Sequence, residues 1–202
     1  MVEHLTFNQR VVGSIPARVT SFRRTANALR PSHTLCPAST GPAVRGNVTR
    51  MYSFVLILHS WMRWIALVAG IGATMAAFNS RAQTVAMGRA DRWGLALMAA
   101  LDLQMLLGLL LYLLLSPTMQ EILRNFSAAM RDRGARFWAV EHISTMLVAV
   151  ILVHVGRVLA RKAATPVAKR TRLLICFGVA TLAMIAATPW PGMTNGRPFF
   201  RF

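Results

Sequence analysis

Four long apolar runs constrain the fold of this 202-residue chain more than any other feature. They extend from Ser53 to Phe78, Trp93 to Leu115, Phe137 to Val158 and Leu173 to Trp190. Each run is close to or above the roughly 18 to 20 residues that a helix needs to cross a bilayer. A helix also satisfies its own backbone hydrogen bonds, as a lipid-exposed segment must. The sequence therefore predicts an all-α integral membrane protein, a four-helix bundle with both chain ends on one side.

The distribution of charge agrees with membrane insertion. The chain is 55% hydrophobic, and its net charge of +17 comes from 23 Lys and Arg residues, which lie almost entirely between the apolar runs and in the first 50 residues. Basic loops of this kind face anionic lipid headgroups. Aromatic and basic residues do not alternate along one face, as a nucleic-acid surface would require. We therefore expect the lipid bilayer as a partner, and no nucleic acid.

Residues 1–50 have scattered Arg, Ser, Thr and Pro and no sustained periodicity. The stretch from Gln9 to Thr20 resembles the peptide that results when the end of a transfer-RNA gene is translated. We predict that residues 1–50 are disordered or belong to a wrongly assigned start, with the true start at Met51 and the transmembrane domain in residues 51–202. The alternative is a disordered basic arm or a cleaved leader.

The segment between the second and third spans is polar but keeps a helical pattern. Ile122, Leu123, Phe126 and Met130 recur at helical spacing after Ser116-Pro117, with Arg and Glu between them. An apolar stripe of this length suits a helix that lies in the membrane interface. We predict a short interfacial amphipathic helix here.

The orientation follows from the basic residues of the loops. Asn79–Arg92 and Arg157–Arg172 together contain nine Lys or Arg, whereas the loop after span two and the C-terminal tail contain six. With a start at Met51, the positive-inside rule places both termini on the outer side of the membrane. Counting residues 1–50 adds seven Arg to the terminal side, 13 against nine, and reverses the prediction.

Two histidines are the candidate functional residues, because ionisable side chains inside a span are costly. His59 lies about six residues into the first span and His142 about five into the third, and these two spans run in the same direction. Each shares a helix face with small residues, which marks the packing side. Two inward imidazoles at equal depth are what a haem with two axial histidines requires. The alternative is that they form structural hydrogen bonds across helices.

Other polar residues in the spans extend this hypothesis. Arg63 needs a partner, and Asp102 on the second helix is the best-placed acid for an ion pair. Arg63 can instead receive a haem propionate or a quinone oxygen. Gln104 and Glu141 complete the predicted intramembrane polar network. Gln104 also starts a stripe with two further residues that we interpret as a packing seam, Gly108 and Tyr112.

Several motifs occur together in this order: Leu58–Trp64, Leu103–Gly108, Arg136–His142, Pro189–Pro191 and Arg197–Arg201. As a set they resemble small bacterial four-helix membrane proteins that carry the label cytochrome b or cytochrome b-like. The resemblance covers residues 51–202 and implies a multi-pass protein of the bacterial inner membrane. Where many of these relatives have His two residues before the Gln, this chain has Asp102, whereas His59 and His142 match the pattern.

The sequence thus favours a small b-type cytochrome that passes electrons between a quinone pool and a membrane redox partner. A cofactor-free structural or assembly subunit of a membrane complex is the alternative. A transporter is disfavoured because the chain has no inverted repeat and no span broken by Gly or Pro. Phosphate loops, nucleophile elbows and zinc signatures are absent from the sequence, so we expect no catalytic residues. The sequence leaves the oligomeric state open.

Overall fold

The computed structural model describes residues 42–80 and 84–200, and in this part of the chain every regular element is a helix. The helices, in chain order, are α1 (Pro42–Asn79), α2 (Thr84–Leu110), α3 (Pro117–Arg124), α4 (Phe126–Arg131), α5 (Arg133–Arg136), α6 (His142–Arg161) and α7 (Pro166–Ala187). A π-helical turn, Leu111–Leu115, continues α2, and a second, Phe137–Glu141, leads into α6.

Four of the resulting segments are long and apolar enough to cross a membrane: Gly46–Asn79, Met87–Leu115, Arg133–Arg161 and Pro166–Ala187. Large apolar side chains cover their outer surfaces, where they suit contact with lipid tails. The predicted all-α four-helix membrane bundle is therefore confirmed.

The helices begin earlier than the apolar runs predict. The first span was predicted from Ser53, but α1 already includes Pro42. The fourth was predicted from Leu173, but α7 begins at Pro166, where the Thr165 hydroxyl accepts a hydrogen bond from the backbone of Ala168. A helix continues into the interface because it satisfies its own backbone there, whatever the polarity of its side chains.

Only part of the predicted leader falls within the described residues. Residues 42–50 are helical and continuous with α1, and residues 46–50 are exposed. Residues 1–41 lie outside the described residues. The proposed start at Met51 therefore stays a prediction.

The four long helices pack in a square. α1 contacts α2 and α7, and α6 contacts the same two helices, so α1 and α6 occupy diagonal corners. The face of α1 that packs inward consists of small residues, as predicted, and all four are buried: Ala66, Gly70, Ala73 and Ala77. Small side chains let helix backbones approach closely, which is the main source of association between helices in lipid.

Glycines mark the closest approaches between helices. A Cβ added to Gly156 on α6 would overlap the Cβ of Cys176 on α7. On α2, a Cβ at Gly94 would lie 2.5 Å from the ring of Phe177, which is fully buried. These contacts fix α7 against its neighbour α6 and against the diagonal helix α2 in the half of the bundle away from α3.

The single interfacial helix predicted between spans two and three is instead three short helices. Ser116, Asn125 and Asp132 each precede one of them, and each side chain accepts a hydrogen bond from a backbone N–H of the first turn. Three caps in 17 residues restart the helix repeatedly and turn the chain over the end of the bundle. We call this end of the bundle the α3 end.

We predict that Gly156→Ala destabilises the protein by about 1 to 3 kcal/mol, because the new methyl group has to displace Cys176 or separate α6 from α7. The measurement is the free energy of unfolding in detergent micelles. Gly88→Ala is the matched control, since a Cβ at Gly88 meets nothing within 4 Å. Equal stabilities of the two variants would contradict the close approach.

Candidate functional site

A cavity of about 180 Å³ lies inside the bundle near the α3 end. All four long helices or their extensions contribute to its wall. Its polar lining includes most of the residues that the sequence singled out, together with others that it did not: His59, Ser60, Arg63, Gln104, Tyr112, Ser116, Thr118, His142, Thr188 and Arg197. The two candidate histidines thus enter one cavity from diagonal helices.

His59 on α1 faces α2. Its Nε2 atom lies 3.2 Å from Nε2 of the buried Gln104 side chain. With the amide as donor, Nε2 of His59 accepts and the ring proton resides on Nδ1. Gly108, one turn further along α2, leaves room for the ring, since a Cβ there would lie 3.2 Å from Cε1 of His59. The imidazole of His59 therefore packs against α2 and does not face the lipid.

Two buried polar atoms of this pair have no hydrogen-bond partner within the described residues. They are Nδ1 of His59 and Oε1 of Gln104. Buried polar groups in native proteins are normally satisfied, and an exception often marks a site for water or a ligand. The pair therefore offers both a donor and an acceptor to a guest in the cavity.

His142 has a defined proton position. Its Nδ1 atom lies 2.9 Å from the carbonyl oxygen of Ala187 on α7. A carbonyl only accepts, so Nδ1 carries the proton and the neutral ring keeps a lone pair on Nε2. The rings of Phe137 and Trp138 flank the imidazole, with centroids 5.8 and 5.6 Å away. This arrangement is the usual one for a histidine that binds a metal through Nε2.

Two arginines bring positive charge to the same region. Arg63 donates to the carbonyl oxygen of Phe199 at 2.9 Å, and it lines the same cavity as the two imidazoles. Arg197 stands over the ring of Trp138 at 5.1 Å. The Trp64 indole also donates to Phe199, at 3.0 Å, so the C-terminal segment is tied to α1 beside the cavity.

The two π-helical turns form part of the cavity wall. Tyr112 in the first turn donates its hydroxyl to the carbonyl oxygen of Ala139 in the second, at 2.8 Å. The second turn ends where the backbone N–H of His142 bonds to the carbonyl of Phe137. An inserted π turn rotates the residues that follow it, and such turns are frequent at functional sites. Here it helps to set the direction of His142.

The other predicted polar contacts are rearranged. The ion pair predicted between Arg63 and Asp102 is wrong, because Oδ2 of Asp102 lies 3.5 Å from Nε2 of His154 on α6. Asp102 is two residues from Gln104, roughly 200° around the helix, so only one of the two can face the cavity. Glu141 pairs with Arg136 at 2.8 Å, and both are largely exposed. The predicted network is therefore three separate pairs.

The sequence missed several cavity residues. Gln104, Gly108 and Tyr112 were interpreted as a packing seam, but this stripe faces the cavity. Arg197 belongs to the closing motif Arg197–Arg201, but the sequence did not indicate that it lines the cavity, which it reaches through the fold of the C-terminal segment. The sequence also contains no sign of the π turns, because the residues within them occur commonly in ordinary α-helices.

No group of three or more His, Cys, Asp or Glu side chains that could hold a metal ion exists among the described residues. Two imidazoles suit a metal centre only when its remaining ligands come from elsewhere. A porphyrin supplies four nitrogens and leaves two axial positions for the protein. The donor set therefore fits haem better than a free ion.

We predict that Tyr112→Phe lowers the free energy of unfolding by about 0.5 to 1.5 kcal/mol, because the Ala139 carbonyl loses its hydrogen bond. Chemical unfolding in micelles measures this change. Tyr52→Phe is a control from the same cavity wall. If both variants retained full stability, the bond would not contribute to holding the π turns together.

Comparison with known protein families, with curated proteins and with solved structures finds no match to this chain. The resemblance to cytochrome b-like membrane proteins therefore stays a prediction. Any function has to follow from the cavity and its residues.

Proposed function

We propose that the chain is a small haem-binding electron carrier of a bacterial inner membrane, with His59 and His142 as the axial ligands of one b-type haem. The observation that carries the proposal is the position of these two imidazoles, which line one cavity from the diagonal helices α1 and α6. Haem iron supplies a one-electron couple when bound, which no side chain of the cavity offers.

The two histidines fit a haem to different degrees. His142 is prepared, because its Nδ1 proton is already bonded to Ala187, which leaves the lone pair of Nε2 for a metal. His59 contacts Gln104 through Nε2, so the amide has to release this atom before it can bind a metal. Gln104 is a neutral group, and exchanging one hydrogen bond for a metal–nitrogen bond is favourable. Nδ1 of His59 is buried without a hydrogen-bond partner among the described residues, so the present contacts of the ring leave one polar atom unsatisfied.

The cavity has to enlarge to hold a porphyrin. At about 180 Å³ it is smaller than typical ligand pockets of about 300 to 1,000 Å³. Its wall contains Met105, Met119 and Met146, and methionine side chains change shape at low cost. The C-terminal segment after α7 is a second part of the wall that can move. It is not helical within the described residues, and it lies against α1 through hydrogen bonds and ring contacts, which can rearrange.

Arg63 and Arg197 give the cavity its charge preference. Both line the wall near the α3 end. A guanidinium binds a carboxylate through two parallel N–H donors, and haem b carries two propionates. We propose that these arginines would hold the propionates when haem is bound.

We further propose that a quinone exchanges electrons with the protein and that a membrane redox complex is its partner. With a start at Met51, both termini and the α3 end would face the outer side of the membrane. The haem would then lie within one or two helix turns of that surface. Quinones dissolve in the bilayer and can reach such a depth from the side.

A second candidate is a cofactor-free structural or assembly subunit. The hydrogen bond of His59 to Gln104 links α1 to α2, and that of His142 to Ala187 links α6 to α7. Cross-helix bonds of this kind stabilise membrane bundles without any cofactor. The same contacts therefore support both candidates, and haem content separates them.

We predict that the protein, purified in detergent from a host supplied with haem precursor, shows a b-type α band in a reduced-minus-oxidised absorbance spectrum. His59→Ala and His142→Ala should each abolish this low-spin spectrum, because one axial nitrogen is lost. His154→Ala is the matched control, since His154 lies outside the cavity, beside Asp102.

A band that survives both single substitutions would contradict the ligand assignment. A flat spectrum in a well-folded protein would favour the structural subunit. Circular dichroism of each variant separates the loss of haem from the loss of fold.

A further inference from the structure

An acid and a base lie side by side on the lipid-facing surface between α2 and α6. Oδ2 of Asp102 is 3.5 Å from Nε2 of His154, and the side chains are 47% and 44% exposed. The Nδ1 atom of His154 contacts the carbonyl oxygen of Val150 at 3.0 Å and donates to it. The other ring nitrogen is thereby directed to the carboxylate, and about half of each polar side chain faces outward.

This pair is deep in the membrane. Asp102 lies 11 residues from Asp91, which forms an ion pair of 2.6 Å with Lys169 at the polar end opposite α3. Eleven residues of helix span about 16 Å, close to half of a hydrocarbon core of about 30 Å. Ionisable side chains at this depth rarely face lipid and are normally covered by protein or water. Exposure of this pair therefore indicates a surface that is covered in the membrane.

Apolar stripes continue from the pair along both helices. The spacing of three and four residues keeps them on one side of the molecule, and all the members are exposed except His154, which is half-buried. We call this surface the α2/α6 face, which consists of Leu95, Ala99, Asp102 and Leu106 on α2 and Leu147, Ile151, His154 and Val158 on α6.

We propose that a second copy of this chain covers the α2/α6 face in a two-fold symmetric dimer. The face carries an acid and a base next to each other, so it is complementary to itself. A two-fold axis along the membrane normal, passing between the helices, brings Asp102 of one copy opposite His154 of the other. Both polar groups then gain a second partner and leave the lipid. A different protein would need its own base and acid at this depth, whereas a second copy has them by symmetry.

Cysteine cross-linking in native membranes tests the geometry. In a Cys36→Ser, Cys176→Ala background, chains with Leu106→Cys expressed together with chains with Ile151→Cys are expected to form disulfide-linked dimers between the two variants on mild oxidation. The reason is that the axis brings α2 of one copy opposite α6 of the other. Leu182→Cys on α7 is the matched control, since Leu182 is 66% exposed and Leu106 is 64% exposed. This control is expected to stay monomeric. If Leu106→Cys cross-linked to Leu182→Cys as much as to Ile151→Cys, the proposal would be overturned.

Substitution of the pair tests the cause. Asp102→Leu combined with His154→Leu removes both polar groups and should weaken dimerisation in lipid bilayers by about tenfold or more, measured by single-molecule photobleaching over a range of protein densities. The exchanged variant, Asp102→His with His154→Asp, keeps a complementary pair and should dimerise like the native chain.

A monomer at all densities, or a leucine variant that dimerises as strongly as the native protein, would overturn the proposal. Circular dichroism verifies that each variant is folded. Neither measurement depends on haem, so failure of the dimer and failure of the proposed cofactor are distinguishable.

Discussion

The structure depends on the close packing of small residues between its helices. In a lipid bilayer the hydrophobic effect does not drive helices together, so close packing has to do so. Ala66, Ala73 and Ala77 on α1 are buried almost completely, and Gly156 lets α6 meet Cys176. These contacts close the bundle in the half away from α3. Toward the α3 end, histidine, glutamine, tyrosine and methionine replace the small residues, and the helices line a partly open cavity instead. The end away from α3 thus stabilises the bundle by close packing, and the α3 end contains the cavity with its polar side chains.

The polar residues divide between the inside and the outside of this bundle. His59, Gln104 and His142 face the cavity, whereas Asp102 and His154 meet on the outer surface between α2 and α6. Polar side chains in lipid have to find partners, so each group leads to its own proposal. The inner group is assigned to a cofactor and the outer one to a second copy of the chain. The two roles use different faces of α2. Gln104 faces the cavity and Asp102 faces outward, because residues two apart lie on nearly opposite sides of a helix.

The length of the apolar runs was enough to predict four spanning helices, and the spacing of small residues on α1 predicted its buried face. The shared cavity of His59 and His142 also agrees with the equal depths estimated from the sequence. The partner of Asp102 could not be predicted, because residues 102 and 104 of one helix face different neighbours and the order of helices in the square is a tertiary property. The π turn before His142 and the position of Arg197 depend on contacts between distant segments, which no local pattern encodes.

The central claim is that two imidazoles from diagonal helices share one iron. Electron paramagnetic resonance of the oxidised, haem-loaded protein tests it most directly, because the signal reports the axial ligands of ferric haem. The account predicts a single low-spin species with two imidazole ligands, at about one haem per chain. A high-spin signal, or a folded protein that binds no haem, would contradict it.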